Sequence, residues 1–440
     1  MNFEESLLYL LSLGNEVSAM KLGLDNIRIL LAALNTPEKN YLKIQIAGTN
    51  GKGSTCAFLE AICLSANIKT GMTTSPHLIS ITERIRINGE EISEEDFACQ
   101  ATLIKKTSEK LVEEKRLETV PTFFEQVTAI ALNAFAEAKI ELAILETGLG
   151  GRFDATTAAN AEIIGITPID FDHERILGNT LVEIAAEKAA IIRADTRVVI
   201  SSQPKEALDV ILEHCRKAKV LPIVNDWQPF PEDSPEISFK TQKKFYPNVR
   251  LGLEGEHQNQ NACVAISLAE VLIEDFKFDI SKKQVIEGLE KTNHKGRLEW
   301  WSRNEIEILF DGAHNAAGAR ALKSYLEKFF AESKITLIFG AMKDKNLFEI
   351  AEILFPLAEN LILTKSCNPR SAEVEELQKI AEKVIDKSKV FSVADVSVAI
   401  DSAKEITSTY SATKHSFICI TGSLYLVGEA QKILKSQSKI

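Results

Sequence analysis

The sequence predicts an α/β fold with two domains, on the basis of three observations. The chain has 440 residues, 45% of them hydrophobic and 7% aromatic. This is enough apolar material for two cores, since one domain usually takes about 100 to 200 residues. Short, nearly continuous apolar runs recur, and polar or glycine-rich residues follow them in both halves. Buried parallel strands covered by helices on both faces are typical of this pattern.

The predicted strands end in residues suited to a ligand site. The apolar runs lie at residues 142–145, 163–166, 198–200, 306–310, 335–339, 361–363 and 417–420. Charged, hydroxyl or glycine residues follow them at 146–148, 170–173, 311–315, 365–366 and 421–423. Open α/β sheets bind ligands beyond the carboxyl ends of their strands. We therefore predict one site built between the two domains.

The polar segment 291–297, which contains Gly296, predicts the domain boundary. It gives an N-terminal domain of residues 1–295 and a C-terminal domain of residues 296–440. Residues 225–250 are rich in Pro, Asp and Lys, which indicates an excursion or a hairpin.

Residues 44–55, IQIAGTNGKGST, predict a phosphate-binding loop. Glycines let successive N–H groups face one concavity, Lys52 adds a positive charge, and a Ser or Thr at the start of the next helix can contact Mg²⁺. The match to G-x-x-x-x-G-K-[ST] is imperfect, because Ile46 replaces the first glycine and Gly53 separates Lys52 from Ser54. An ordinary strand-to-helix turn is the alternative, but the compact form favours ATP. The predicted nucleotide contacts of this loop are Gly48, Thr49, Asn50, Gly51, Lys52, Gly53 and Ser54.

Charge and cysteine usage exclude several classes of protein. Lys and Arg total 51 against 62 Asp and Glu, a net charge of -11, which argues against nonspecific nucleic-acid binding. No apolar stretch is long enough for a bilayer, and no basic region precedes an apolar run at the amino terminus. We expect a cytoplasmic protein. The seven cysteines form no C-x-x-C pair, which indicates reduced core residues rather than disulfides or a zinc site.

Eight motifs in one order resemble the bacterial folylpolyglutamate synthase and dihydrofolate synthase family, of the Mur ligase superfamily. They lie at residues 48–54, 74–78, 83–89, 146–156, 172–173, 187–192, 311–315 and 421–425. The resemblance implies an N-terminal P-loop domain of the Mur-ligase central type and a C-terminal Rossmann-like Mur-ligase domain. One departure is Thr157, which stands where the family usually has asparagine.

The resemblance implies an ATP-dependent ligase that forms a carbon–nitrogen bond. The carboxylate of the pterin substrate would attack the γ-phosphate of ATP, and the amino group of L-glutamate would then attack the resulting acyl phosphate. Mg²⁺, Lys52 and the loop amides would offset the repulsion between the anions. The expected partners are dihydropteroate or tetrahydrofolate, L-glutamate and ATP, without nucleic acid or membrane, and we expect a monomer.

The metal ligands and catalytic residues follow from the resemblance. Ser75 and Glu146 match ligands of a Mg²⁺ between the β- and γ-phosphates, and His173 matches a ligand of a second Mg²⁺. Lys188 matches a carbamylated lysine whose carboxylate reaches toward that second ion. Each has a simpler alternative: a turn serine, a solvated carboxylate, a hydrogen-bonded histidine, or a lysine that extends from an apolar helix to solvent. With Lys52 and His314, His173 and Lys188 are the expected catalytic residues.

The remaining contacts also come from the resemblance. Asn261, Arg297 and Asp311 match nucleotide contacts, and His314 matches the region where glutamate arrives. The expected pteroate contacts are Leu22, Gly23, Leu24, Thr122, Phe123, Phe124, Glu125, Gly151, Arg152 and Phe153. Phe123 and Phe124 could otherwise be core residues, and we expect this of at least one of them.

Other functions can be weighed against this one. A cell-wall Mur ligase normally carries a UDP-sugar domain before the phosphate loop, and too few residues precede Gly48 here for such a domain. A nonenzymatic nucleotide switch would not need Glu146, His173 and Lys188 together. Within the family, folylpolyglutamate synthase activity alone is the alternative to both activities. Residues 122–125 and 75–78 resemble the bifunctional members that use dihydropteroate, so we expect both.

Overall fold

Strands and helices alternate along the chain and build two separate sheets. The structure, a computed structural model, describes residues 1–14, 23–225, 236–303, 306–410 and 415–437. Its strands are β1 (Leu42–Ala47), β2 (Thr70–Thr73), β3 (Ile85–Ile87), β4 (Glu90–Glu91), β5 (Leu142–Glu146), β6 (Ile163–Ile166), β7 (Arg197–Ile200), β8 (Ile223–Val224), β9 (Ile237–Lys240), β10 (Phe245–Val249), β11 (Glu299–Arg303), β12 (Ile306–Phe310), β13 (Lys334–Phe339), β14 (Asn360–Leu363), β15 (Val390–Ser392) and β16 (Ser416–Thr421).

The helices lie between these strands and before them. They are α1 (Phe3–Ser12), α2 (Asp25–Ala33), α3 (Lys52–Ser65), α4 (Glu94–Glu113), α5 (Phe123–Glu137), α6 (Glu174–Leu177), α7 (Leu181–Ala189), α8 (Lys205–Ala218), α9 (His257–Asp275), α10 (Lys282–Lys291), α11 (Ala316–Phe330), α12 (Leu347–Leu354), α13 (Val374–Val384), α14 (Val396–Ser408) and α15 (Leu424–Ser436).

The first sheet is buried on both faces. Its strand order is β4-β3-β2-β5-β1-β6-β7-β8, and neighbouring strands pair in parallel except at one edge, where β3 is antiparallel to both β2 and β4. On β5, Leu142 and Ile144 face a core shared with α3 and α9, whereas Ala143 and Leu145 face a core shared with α5. Successive strand residues point to opposite faces, so a run that is buried throughout needs helices on both sides.

The second sheet has the same construction. Its order is β11-β12-β16-β13-β14-β15, with β11 antiparallel to β12 and the remaining pairs parallel. On β16, Phe417 and Cys419 face the core with α11, α12 and α13, and Ile418 and Ile420 face the core with α14 and α15. The predicted α/β class with two domains is confirmed.

The order of strands in the first sheet places a ligand site beside β1. Strand β1 pairs with β5 on one side and β6 on the other, although β2 is the next strand in the chain. The strands that follow β1 in the chain therefore lie on both sides of it in the sheet. The crevice at the carboxyl ends of the strands at such a point is where α/β proteins bind ligands.

The backbones of the two halves approach each other closely at Gly428. A Cβ added to Gly428 of α15 would lie 1.9 Å from the carbonyl oxygen of Leu78, which belongs to the first half. The side chain of Leu78 packs against the core beneath α15. Gly428 therefore leaves room for the main chain of the first half.

Three smaller features concern the sequence predictions. Strands β9 and β10 form an antiparallel hairpin inside the predicted excursion. Five of the seven free cysteines are buried, but Cys99 and Cys367 are exposed, so the prediction of core cysteines does not hold for these two. Among the described residues, the helices are all too short or too polar to cross a bilayer.

Candidate active site

The loop after β1 wraps the amino terminus of α3. Gly48 and Gly51 have φ angles of 150° and 84°, which side chains rarely adopt. A Cβ on Gly48 would lie 1.9 Å from Oγ1 of Thr167, and one on Gly51 would lie 2.1 Å from Oδ1 of Asn261. Nζ of Lys52 donates to the carbonyl oxygens of Gly48 and Thr49 at 3.2 and 3.1 Å. The loop thus presents a lysine and the unpaired N–H groups of a helix start, which suit an anion.

Glu146 ends β5 beside this loop. Its side chain is 6% exposed, and Oε2 accepts a hydrogen bond from the backbone N–H of Ser75 at 3.0 Å. Burial raises the pKa of Glu146, and the nearby charge of Lys52 opposes that change. A buried carboxylate with so few donors is stabilised by a cation. The carboxylate and the Ser75 hydroxyl are hard oxygen donors of the kind that Mg²⁺ prefers, so these residues fit that ion.

Protein side chains alone do not complete a metal site in the described parts of the chain. No group of three or more His, Cys, Asp or Glu residues there is arranged to hold an ion. A Mg²⁺ at Glu146 and Ser75 would therefore take further oxygen ligands from a phosphate or from water, as Mg²⁺ commonly does in phosphoryl-transfer sites.

Lys188 lies on α7 and points into the same loop. Its side chain is 5% exposed, and Nζ donates to the carbonyl oxygen of Gly48 at 2.8 Å. Burial and the positive charge of Lys52 lower the pKa of Lys188 to about 7. The alternative of a lysine that extends to solvent is wrong, because the amine is enclosed by the phosphate loop.

The loop after β6 meets the second half at Asp172. Its carboxylate accepts hydrogen bonds from Nζ of Lys345 at 2.5 Å and Nδ2 of Asn315 at 3.2 Å, and Nε2 of His314 lies 3.6 Å away. Burial opposes ionisation of Asp172, but the neighbouring imidazole of His314 and the charge of Lys345 hold its pKa well below the usual range. Burial lowers the pKa of His173 to about 3, so its ring is neutral.

Nucleotide residues predicted for the second half lie at the hinge and at the end of β12. Asp311 accepts hydrogen bonds from the backbone N–H groups of Leu298 at 3.1 Å and Ala313 at 2.9 Å. Burial raises the pKa of Asp311, and the guanidinium of Arg297 opposes this. Asn315 joins the halves by donating to Oδ1 of Asn50 at 2.9 Å. The contacts of these residues with a nucleotide stay predictions.

A cavity of about 160 Å³ opens between the two halves next to the phosphate loop. Many predicted residues line it: Gly23, Leu24, Ser75, Thr122, Phe124, Glu125, Phe153, His173 and His314. Thr122 caps α5, and Glu125 accepts the reciprocal bond from the Thr122 N–H at 2.8 Å, which fixes this wall. Phe124 covers Gly148, where a Cβ would lie 2.5 Å from its ring.

Three predicted substrate residues in the described part of the chain do not line this cavity. Phe123 is 5% exposed and packs in the core with Arg84 over its ring. Gly151 packs against the backbone of α7, and Arg152 points outward to pair with Glu187 at 2.8 Å. Leu22 lies outside the described residues. The prediction that one of the two adjacent phenylalanines is a core residue fits this arrangement.

Three side chains of the second half that line the cavity were not predicted: Met342, Lys345 and Arg370. The cavity is also lined by Ser423, Leu424 and Tyr425, which belong to the motif at 421–425 but had no predicted role. The segment 340–345 follows the carboxyl end of β13, so the strand-end rule could have found Met342 and Lys345. Arg370 lies on a long loop and pairs with Asp344 at 2.9 Å. No local sequence pattern predicts this contact.

Another missed residue is His294, on the hinge between α10 and β11. Its Nε2 lies 3.1 Å from the place that a Cβ on Gly53 would take. Burial, together with the positive charges of Arg297 and Arg86, lowers the pKa of His294 to about 3. The imidazole is therefore neutral.

Thr157, the departure from the family pattern, is buried, and its hydroxyl both donates and accepts a hydrogen bond. Its hydroxyl donates to the carbonyl oxygen of Gly151 at 2.8 Å and accepts from Nε2 of Gln45 at 2.8 Å. The threonine thus ties the loop after β5 to strand β1.

Comparisons with known proteins agree with this architecture. The model of the dihydrofolate synthetase C-terminal domain matches residues 294–434. A dihydrofolate synthase/folylpolyglutamate synthase of Bacillus subtilis is 36% identical over 94% of this chain and 96% of its own length. The solved Mycobacterium tuberculosis folylpolyglutamate synthase complexed with ADP superimposes with a TM-score of 0.90 at 31% identity, covering 98% of this chain and 99% of that one.

A second solved structure, Escherichia coli FolC in complex with DHPP and ADP, has a TM-score of 0.87 at 25% identity, covering 100% of this chain and 99% of that one. Similarity of this extent reaches both sheets and the loops between them. The chain therefore belongs to the dihydrofolate synthase/folylpolyglutamate synthase family and has its two-domain Mur-ligase-type fold.

Proposed function

We propose that this chain joins L-glutamate to dihydropteroate and to reduced folates in reactions driven by ATP. The observation that carries the proposal is the junction of the phosphate loop with the cavity between the halves. Ser75 lines that cavity and also donates to Glu146 beside the loop. A carboxylate in the cavity would therefore lie next to the terminal phosphate of a nucleotide.

In the proposed first step, a carboxylate oxygen of the pterin substrate attacks the γ-phosphorus of ATP. The new oxygen–phosphorus bond forms as the bond to the β-phosphate oxygen breaks, which gives an acyl phosphate and ADP. Lys52 and the N–H groups at the start of α3 stabilise the phosphate charge. Mg²⁺ held by Ser75 and Glu146 would add further charge neutralisation. The apolar wall formed by Leu24, Phe124 and Phe153 suits the flat rings of a pterin.

In the proposed second step, the amine of glutamate attacks the acyl carbon and inorganic phosphate leaves. Lys345 and Arg370 line the cavity and suit the carboxylates of the amino acid. Nδ1 of His314 lies 2.8 Å from the carbonyl oxygen of Gly312, which only accepts, so Nδ1 carries a proton. In the neutral ring Nε2 then carries no proton, and it is our candidate acceptor for the proton that the amine loses.

We further propose that Lys188 is carbamylated and that it serves a second Mg²⁺ with His173. The neutral amine would add to the carbon of CO₂, with loss of one proton, to give a carbamate. The enclosed position of Nζ at the phosphate loop and its lowered pKa support the presence of a neutral amine there. The carbamate would contribute an anionic oxygen beside the neutral ring of His173.

The test is glutamate-dependent release of ADP by the purified protein. Dihydropteroate and tetrahydrofolate are supplied separately, each with ATP, Mg²⁺ and L-glutamate, and the products are identified by mass. We expect turnover with both. Turnover with tetrahydrofolate alone would reduce the activity to folylpolyglutamate synthase, and turnover with neither would refute the proposal.

Lys52→Ala tests the role of the phosphate loop in the same assay. We expect ADP release to stop while the melting temperature stays close to the wild-type value, because Lys52 acts on the transferred phosphoryl group. The control is Lys110→Ala, which removes a lysine whose side chain is 72% exposed on α4. Near-normal turnover of Lys52→Ala would contradict the phosphate-loop assignment.

A further inference from the structure

His294 lies at the phosphate loop but has no role in the function proposed above. It belongs to the hinge segment between α10, which ends at Lys291, and β11, which begins at Glu299. Its ring rests against the first turn of α3, with Nε2 and Cε1 at 3.1 and 3.2 Å from the place of a Cβ on Gly53. A residue of the hinge thus reaches the phosphate-binding end of the first domain.

In phosphate loops, the position of Gly53 usually carries a side chain that serves the bound nucleotide. The residue that follows the loop lysine is ordinarily Ser or Thr, and its hydroxyl serves the bound nucleotide through Mg²⁺. Here that residue is Gly53, which has no side chain. Nε2 of His294 and Oε1 of Glu146, at 3.1 and 3.5 Å, face the position of the missing Cβ. The imidazole therefore occupies the space that the hydroxyl would take.

The ring is free to bind a ligand. Among the residues that the structure describes, His294 makes no hydrogen bond and no ion pair. A neutral imidazole has one N–H donor and one acceptor, so this ring can offer either of them to a ligand. Arg297 stands three residues along the same hinge, and its positive charge acts on Glu146 beside the loop.

We propose that Nε2 of His294 donates a hydrogen bond to the terminal phosphate of bound ATP and is a positioning residue for that phosphate. This inference rests on the proposed function, because it needs ATP at the loop. The imidazole comes from the hinge, so the hydrogen bond forms only when the hinge lies against α3. His294 thereby links the presence of the terminal phosphate to the position of the second domain.

The first experiment measures dissociation constants by calorimetry, with Mg²⁺ present, for ADP and for the non-hydrolysable ATP analogue AMPPCP. His294→Ala should weaken AMPPCP about tenfold, the usual effect of losing a hydrogen bond to a charged group. The affinity for ADP should change by less than about twofold, because ADP lacks the terminal phosphate. The control is His214→Ala, which removes a half-buried imidazole on α8, far along the chain from the loop.

The second experiment is a double-mutant cycle with Gly53→Ser. In the wild-type background the new Cβ would press on the His294 ring at 3.1 Å, and AMPPCP affinity should fall. With His294→Ala the pressure is gone and the serine hydroxyl can take the vacated place. The double variant should therefore bind AMPPCP better than either single variant, a non-additive result.

These outcomes separate the two proposals. If the wild-type protein binds neither nucleotide, the proposed function fails. If it binds both and His294→Ala keeps the wild-type affinity for AMPPCP, or loses equal affinity for ADP and AMPPCP, the His294 inference alone is overturned. Additive effects in the cycle would also overturn it. Thermal unfolding of each variant confirms that a lost affinity does not reflect a lost fold.

Discussion

Glu60 makes the stability of the first domain depend on pH. It lies on α3 below the phosphate loop, with its side chain 3% exposed, and its nearest charge is the guanidinium of Arg86 at 3.2 Å. Oε1 has no hydrogen-bond partner among the described residues. Burial raises the pKa of Glu60 to about 7 from an ordinary 4.5, and Arg86 only partly opposes this.

The sign and size of the effect follow from this pKa. The folded state binds the Glu60 proton more tightly than the unfolded state, so the free energy of unfolding falls as pH rises from 4.5 to about 7. At about 1.36 kcal/mol for each unit of pKa, the fully ionised carboxylate costs about 3 kcal/mol. Glu60→Gln keeps the shape of the protonated acid and cannot ionise.

We therefore expect Glu60→Gln to match the wild-type protein near pH 4.5 and to exceed its stability at pH 8. The difference of about 3 kcal/mol corresponds to a melting temperature higher by roughly 6 °C for a domain of this size. Scanning calorimetry at the two pH values measures it. The control is Glu109→Gln on α4, where the side chain is 49% exposed. The same pH dependence in Glu60→Gln and the wild-type protein would refute this reasoning.

Three further predictions concern the site. Lys188→Ala should lose most ADP release and regain part of it with added acetate. The intact wild-type protein should carry the mass of one CO₂. An unmodified, active wild-type enzyme would exclude the carbamate. Lys345→Met should raise the KM for glutamate, and an unchanged KM would remove Lys345 from the glutamate site. The same variant should lower the free energy of unfolding in urea by about 3 kcal/mol, because Asp172 stays buried without its cation. Thr157→Val should cost about 1 to 3 kcal/mol in the same measurement, since Gln45 loses an acceptor and Gly151 a donor; equal stability would show that the hydroxyl contributes nothing.

Local patterns predicted the parts of the site that one segment builds alone. The glycines and lysine of residues 48–54 lie in one segment, so the motif is visible in the sequence, although distant residues such as Thr167 and Lys188 pack against the loop. Glu146 and Asp172 follow buried strands, and the strand-end rule places such residues at one edge of the sheet. The burial of Lys188 was expected from the family motif, whereas the local sequence alone favoured a lysine that extends to solvent; the structure encloses its amine at 2.8 Å from the carbonyl oxygen of Gly48.

The missed or misplaced residues depend on tertiary contacts. Phe123 and Phe124 are adjacent and chemically identical, and only the packing of α5 decides that one faces the core and the other the cavity. Arg152 lies in a family motif, yet Glu187 draws it outward. His294 reaches Gly53 across 241 positions of sequence, from a hinge that looks like a polar linker. Single-sequence reasoning has no access to such approaches.

The close approach of Gly428 to the carbonyl oxygen of Leu78 offers a way to change how the two halves pack together without replacing a residue of the site. A single methyl group there cannot fit at 1.9 Å, so Gly428→Ala would act as a steric wedge between the two halves. The residues that line the phosphate loop and the cavity would keep their identity, while the second half would move away from the first. Such a variant would allow nucleotide binding by the first half to be measured separately from the packing of the second half against it. The close packing of the two halves at this point thus depends on an absent side chain, one turn along α15 from Leu424 of the cavity wall.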